Sequence, residues 1–149
     1  MTTVTVSTQI AAPVERVFKL FTDVEHGPSH VSGIKEVEML TPAGFELGAR
    51  WRETREVLGV MDSAEMEVTA FERNRTYTIT HHKAGIRIDT NFWFESVAAG
   101  TKVTIEFSLD PSGLPPGLLS PLGWAITGRV QQALSHDLDD LKNSAERSA

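Results

Sequence analysis

The sequence predicts an α+β domain in which a curved antiparallel sheet of about seven strands lies against one long C-terminal helix. Three observations support this prediction. The end of the chain has helical periodicity, the middle consists of short runs of alternating residues, and one strand with two short helices precedes those runs. Short turns between closely spaced runs are typical of antiparallel connections.

The predicted C-terminal helix spans Ser120 to Glu146. Ser120 is a favourable N-cap, and Pro121 fits the first helical position because no N–H is needed there. Large apolar residues recur every three or four positions, at Leu122, Ile126, Val130, Leu134, Leu138 and Leu141. In the first half of the helix, the small residues Gly123 and Thr127 lie on the same side as the large apolar residues of the second half. Small side chains at one end of a helix that lies across strands leave room beneath it. This arrangement predicts a pocket and a ligand-holding domain.

The beginning of the chain predicts one strand and two short helices. Residues Thr3 to Ile10 alternate as a strand does. Apolar residues at helical spacing then predict the first helix: Val14, Val17, Phe18 and Phe21. The segment from His26 to His30 contains Gly27-Pro28 and is expected to break that helix. A very short second helix or turn is expected to follow, up to about Ser32.

The middle of the chain predicts the remaining strands. Their predicted spans are 35–40, 49–58, 63–71, 76–82 and 86–97, followed by a last strand that includes residues 103–109. Turns are predicted at Asn74-Arg75 and Ala99-Gly100. In the 63–71 strand, alternation is expected to place four residues on one face: Ala64, Met66, Val68 and Ala70.

Composition and charge exclude several classes of protein. A chain of 149 residues fits one domain with a hydrophobic core. The net charge of -6 argues against a nucleic-acid partner, because phosphate binding needs basic clusters. The absence of cysteine excludes disulfides, thiol catalysis and zinc–thiolate sites. The sequence contains neither a signal-peptide pattern nor a membrane-spanning run. We therefore expect a cytoplasmic protein, as a monomer or homodimer.

Three stretches of the sequence are informative together: residues 10–18 (IAAPVERVF), residues 94–104 (FESVAAGTKVT) and the C-terminal helix. They resemble the START/Bet v 1-like superfamily (SRPBCC), and within it the polyketide cyclase/dehydrase and lipid-transport branch. The first is similar to the branch's strand-to-helix transition, and the second to its penultimate hairpin. The resemblance covers essentially the whole chain. It implies a helix-grip fold with a deep, mostly apolar cavity for a hydrophobic or amphipathic small molecule. The sequence contains no phosphate loop or dinucleotide fingerprint, and no cofactor is expected.

Glu53 and Arg55 are the first candidate polar residues of such a cavity, since they share a strand face with Trp51. If that face points inward, the pair is buried among apolar groups and orients a ligand's carbonyl, hydroxyl or carboxylate. The alternative is that both residues are solvated, because the other face of this strand also carries charges.

Histidines and acidic residues offer further candidates. His81 shares a face with Tyr77 and Ile79, where it is either a general base or hydrogen-bond donor, or lies in water at a strand end. His26 and His30 have a spacing that suits a metal only on a continuous helix, so no metal site is expected. A solvated acidic face is expected on the C-terminal helix, at His136, Asp137, Asp139 and Asp140.

The predicted ligand site combines these polar residues with apolar or small residues that could line a cavity or belong to the core. It comprises Trp51, Glu53, Arg55, Met66, His81, Thr90, Phe92, Phe94, Gly123 and Thr127. Binding of a small molecule is the favoured function, and a cyclase-like enzyme and an interaction module are the alternatives. The chain binds or carries a lipid- or polyketide-like molecule, acts as a cyclase or dehydratase with Glu53, Arg55 or His81 as acid/base groups, or is a protein-interaction module.

Overall fold

A computed structural model describes residues 2–42, 44–57, 59–112 and 123–147, and the side chains of all these residues except 57 and 123–127. Within these ranges the chain forms seven strands, a long C-terminal helix and three short helical segments. The elements are β1 (Thr2–Ile10), α1 (Val14–Thr22), a 3₁₀ turn (Val24–His26), α2 (Gly27–His30), β2 (Ile34–Met39), β3 (Arg50–Val57), β4 (Val60–Glu72), β5 (Thr76–Lys83), β6 (Ile86–Val97), β7 (Gly100–Asp110) and α3 (Gly123–Arg147).

The seven strands form one curved sheet in the order β1-β7-β6-β5-β4-β3-β2, and all neighbouring strands are antiparallel. Strands β1 and β2 are therefore the two edges, and β5 lies at the centre. The predicted fold class is confirmed: a seven-stranded antiparallel sheet, two short helices after the first strand and a long C-terminal helix. The predicted cap at Ser120 and Pro121 lies outside the described residues.

The main core lies on the concave face of the sheet, under α1 and the second half of α3. Cross-strand register places Val6, Ile105, Phe92 and Tyr77 in one row across β1, β7, β6 and β5. Helix α1 buries Val17, Phe18 and Phe21 against this face, and α3 contributes Leu138, which is 2% exposed. The apolar residues predicted at helical spacing in α1 and in the second half of α3 are thus the ones that contact the sheet.

Strand β4 contains a bulge that the alternation did not predict. Its register on β5 shifts between Val68 and Ala70, so that Phe71 lies opposite Tyr77. Thr69 is the extra residue. Its hydroxyl forms a 2.8 Å hydrogen bond with the hydroxyl of Thr80. A bulge reverses the facing of every later residue in the strand. The prediction for Ala70 was therefore wrong: Ala70 is exposed, and Phe71 packs against the core instead.

The segment from His26 to His30 is itself helical rather than a break. A 3₁₀ turn follows α1 directly, and α2 begins at Gly27 with Pro28 in its first turn, where proline has no hydrogen bond to lose. Gly27 is buried, and a β-carbon there would lie 3.3 Å from Cδ1 of Ile34. The predicted short second helix therefore exists. It ends at His30 and is formed by residues that were expected only to break the first helix.

Candidate functional site

The predicted site residues whose side chains are described share the concave face. Trp51 lies opposite Met66, and Glu53 lies two residues further along β3. On the central strands, His81 lies opposite Ile88, and Phe92 opposite Tyr77. The eight residues are Trp51, Glu53, Arg55, Met66, His81, Thr90, Phe92 and Phe94. The predicted contributions of the Gly123 and Thr127 side chains lie outside the described residues.

Aromatic residues fill the end of this face that lies under α1. The ring of Phe94 is 5.0 Å from that of Phe18 and 5.3 Å from that of Phe21, with edge-to-face geometry. Phe92 stacks on Tyr77 at 4.4 Å. Phe94 is buried, whereas Phe92 is only half-buried. The aromatic cluster therefore packs α1 onto this end of the concave face.

Phe45 belongs to this cluster, although it was not among the predicted residues. It lies in the connection between β2 and β3, and its ring is 4.8 Å from that of Tyr77 and 5.8 Å from that of Trp51. Gly44 and Gly48 flank it and adopt positive φ angles of 130° and 88°, which other residues rarely adopt. The sequence signal is one aromatic residue between two glycines in a loop, which folds inward over the sheet.

An ionic triad joins the sheet to α3. Arg55 Nε donates to Glu53 Oε2 at 2.8 Å, and Arg55 Nη2 lies 2.8 Å from Asp137 Oδ2. The side chains of Glu53, Arg55 and Asp137 are 10%, 30% and 17% exposed. Trp51 Nε1 also donates to Glu53, at 3.4 Å. Glu53 and Arg55 are thus paired on the concave side of the sheet, with a third partner from the helix.

The expectation of a solvated acidic face on α3 was wrong for Asp137 and Asp140. His136 and Asp139 are exposed as expected, but Asp137 binds Arg55, and Asp140 accepts hydrogen bonds from the backbone N–H and the hydroxyl of Ser32, both at 3.0 Å. Asp137 follows Leu134 by three positions and precedes Leu141 by four, so helical spacing places it within the inward stripe. That spacing was the available signal for its role.

The ionic triad holds more negative than positive charge, with two carboxylates for one guanidinium. Burial by itself would lower the pKa of Arg55, but Asp137 and Glu53 more than offset this effect and raise it, so Arg55 stays charged. Burial raises the pKa of Asp137 in spite of Arg55, and the carboxylates of Glu53 and Asp140 raise it further. A further anion near this cluster would meet the same unfavourable field.

Further contacts attach the C-terminal half of α3 to the start of the chain. Lys142 Nζ donates to the carbonyl oxygen of Gln9 at 2.8 Å and also lies 2.8 Å from Glu146 Oε2. Glu146 in turn accepts from the backbone N–H of Ala11 at 2.9 Å. This half of the helix is therefore held against β1 and the residues that follow it.

His81 lies on the same face with one nitrogen unsatisfied. Its Nδ1 atom is buried and has no hydrogen-bond partner among the described residues. Burial lowers the pKa of His81, and the nearby carboxylate of Glu53 opposes this effect only in part. The ring is consequently neutral near pH 7. A buried polar atom without a partner costs free energy, which makes this position a candidate ligand contact.

We expect His81 to make the folded protein less stable as the pH falls. Its folded pKa lies below the ordinary value of 6.5, so below that value the unfolded chain binds the proton more readily and stability is lost. His81→Leu should show a smaller loss between about pH 7 and pH 5, measured by urea unfolding. The raised pKa of Asp137 favours the folded state as the pH falls. This effect is present in both the wild type and His81→Leu.

The control for this experiment is His82→Leu, which changes the exposed neighbour on the opposite face of β5. It should leave the difference in stability between the two pH values unchanged. If His81→Leu behaves like the control, the imidazole of His81 is fully hydrated in the folded protein.

The described residues give no direct outline of a cavity at the predicted site. Two open surface depressions of about 470 Å³ each are lined by the outer face of α3 from Gly128 to Asp139, and by residues 11–15 with 96–100. Neither includes a predicted site residue. Within the described ranges, no cluster of three or more potential metal ligands occurs, and no helix is long and apolar enough to cross a bilayer.

Comparison with solved structures supports the fold at low sequence identity. A START superfamily protein from Mycobacterium smegmatis superposes with a TM-score of 0.81 at 15% identity, covering 99% of each chain. The Zhui aromatase/cyclase from Streptomyces sp. R1128 gives 0.76 at 17% identity, covering 97% of this chain and 93% of that one. Major latex-like protein 151 from Panax ginseng gives 0.75 at 14%, covering 96% of each. No curated protein matches significantly.

Sequence comparison with family models identifies the family itself. The model described as polyketide cyclase / dehydrase and lipid transport matches residues 1–146, which is nearly the whole chain. The chain therefore belongs to the polyketide cyclase/dehydrase and lipid transport family.

Proposed function

We propose that the protein binds a hydrophobic or amphipathic small molecule between α3 and the concave face of the sheet. The observation that carries this proposal is the half-burial of Ile79, Thr90 and Phe92. They lie on the two central strands, on the face that α3 overlies, where a closely packed interior would bury them completely. Residual exposure at the centre of an apolar face is what a ligand space produces.

The polar groups of the site favour a ligand with one polar end. The ionic triad and His81 lie toward one end of the face, and the aromatic cluster lies toward the other. Small-molecule sites typically combine apolar walls with a few placed polar groups. Membership of a family named for polyketide cyclases and lipid transport supports the same class of ligand.

A fluorescence titration with the neutral lipophilic probe N-phenyl-1-naphthylamine tests this proposal. We expect saturable binding to the wild type, and at least about tenfold weaker binding to Thr90→Trp, whose new side chain would fill the space beside Ile79 and Phe107. Stability should change little, because a side chain that enters open space displaces no packed atoms.

Thr5→Trp is the matched control, because Thr5 is exposed on the opposite face of β1. It should bind the probe as the wild type does. Absence of saturable binding to the wild type would refute the proposal, and severe destabilisation by Thr90→Trp would show that the face is packed at that point.

A cyclase- or dehydratase-type enzyme is the second candidate, favoured by His81. The imidazole of His81 is neutral, has a nitrogen that is unpaired within the described part of the chain, and interacts with the carboxylate of Glu53. A histidine in this state can act as a general base. One similar structure is that of an aromatase/cyclase. If this function holds, a poly-β-ketone substrate should give a cyclised product with the wild type and less with His81→Leu, whereas a carrier would bind it unchanged.

A further inference from the structure

We infer that the site selects a ligand whose polar end is a neutral hydroxyl group and discriminates against a carboxylate. This inference rests on the proposed binding function and specifies its ligand. It depends on two independent features of the concave face: the charge balance of the ionic triad and the unsatisfied nitrogen of His81.

The cations on this face already have carboxylate partners. Arg55 directs Nε to Glu53 and Nη2 to Asp137. Both nitrogens of one guanidinium edge are thus already engaged, and a ligand carboxylate could use the other edge only by sharing Nη2 with Asp137. Lys83, further along β5, contacts Asp62 of β4. An incoming carboxylate would therefore join a cluster with surplus negative charge, inside a region where water screens charge poorly.

His81 distinguishes the two polar groups in a second way. A neutral imidazole presents one N–H donor and one acceptor, and which nitrogen is the donor depends on the tautomer. A hydroxyl group both donates and accepts, so it can satisfy the orphan nitrogen in either tautomer. A carboxylate only accepts, so it would require the donor tautomer or a protonated ring. Burial of the ring disfavours protonation.

Competition between 2-naphthol and 2-naphthoate for N-phenyl-1-naphthylamine tests the inference near neutral pH, where the first is uncharged and the second is an anion. We expect 2-naphthol to bind at least about tenfold more tightly to the wild type. Because the two ligands also differ in hydration, the decisive quantity is the change in their affinity ratio between variants. Asp137→Asn removes one carboxylate of the triad and should lower the ratio about tenfold.

Asp139→Asn is the matched control, because it makes the same chemical change on α3 at an exposed position. It should leave the ratio unchanged. Glu53→Gln supplies a second neutralisation should Asp137→Asn fail to fold, and it should lower the ratio in the same way.

The results separate this inference from the function on which it rests. If the wild type binds none of the three compounds, 2-naphthol, 2-naphthoate and N-phenyl-1-naphthylamine, the proposed function is wrong. If the probe binds but 2-naphthoate competes as well as 2-naphthol, or if Asp139→Asn alters the ratio as much as Asp137→Asn, the inference about the hydroxyl group is overturned and binding stands.

Discussion

Replacing Gly100 with alanine is expected to lower the free energy of unfolding by roughly 2–4 kcal/mol. Gly100 begins β7 with a φ angle of 143°, which side-chain-bearing residues rarely adopt. A β-carbon there would overlap the carbonyl oxygen of Ile10 and lie 2.9 Å from the backbone nitrogen of Ala12. The β6–β7 hairpin approaches the end of β1 so closely that only hydrogen fits. Chemical denaturation measures the loss.

Gly128→Ala is the matched control for Gly100→Ala. Gly128 is an exposed residue of α3, and an added β-carbon meets nothing within 4 Å. Alanine should therefore raise stability by about 0.5–1 kcal/mol, the usual gain at an exposed helical position. Equal effects of the two substitutions would show that the close approach at Gly100 is absent in solution.

Arg55→Ala is expected to lower the free energy of unfolding by roughly 2–3 kcal/mol. The substitution leaves Glu53 and Asp137 without their shared cation, so two mostly buried carboxylates face one another across the space between β3 and α3. The expected loss is smaller than for a fully buried ion pair because Arg55 is 30% exposed. Urea unfolding near neutral pH measures it.

Arg52→Ala provides the comparison on the same strand. Arg52 points to the opposite face and forms a 3.5 Å ion pair with Glu38, in which both side chains are about half exposed, at 47% and 59%. Such a pair contributes less than about 1 kcal/mol. An Arg55→Ala variant no less stable than Arg52→Ala would mean that the ionic triad is solvated and that α3 is held by apolar contacts alone.

Local periodicity was sufficient to predict the elements of the fold. Alternation identified β1, in which Val4, Val6 and Ile10 are buried, and helical spacing identified the stripe of α1 at Val17, Phe18 and Phe21. These patterns are reliable because each residue's environment depends only on its own element and on one core face. The same reasoning placed Glu53 and Arg55 on the face of Trp51.

Features that depend on two elements at once were not predicted. The bulge in β4 follows from pairing with β5, where Phe71 lies opposite Tyr77 and packs against the core. Phe45 reaches the core through a loop whose path periodicity does not encode. Asp137 looked like part of a solvated acidic face because its partner, Arg55, is 82 positions earlier in the sequence. In each case, long-range contact outweighs the local pattern.

Intermolecular nuclear Overhauser effects between N-phenyl-1-naphthylamine and the protein test the central claim most directly. A ligand between α3 and the sheet predicts contacts from the probe to the methyl groups of Ile79 and Thr90 and to the ring of Phe92. The exposed apolar residues Met61 and Trp93, which are 57% and 43% exposed, provide the alternative sites. Contacts confined to Met61 and Trp93 would place the probe on the outer surface and contradict an internal binding site.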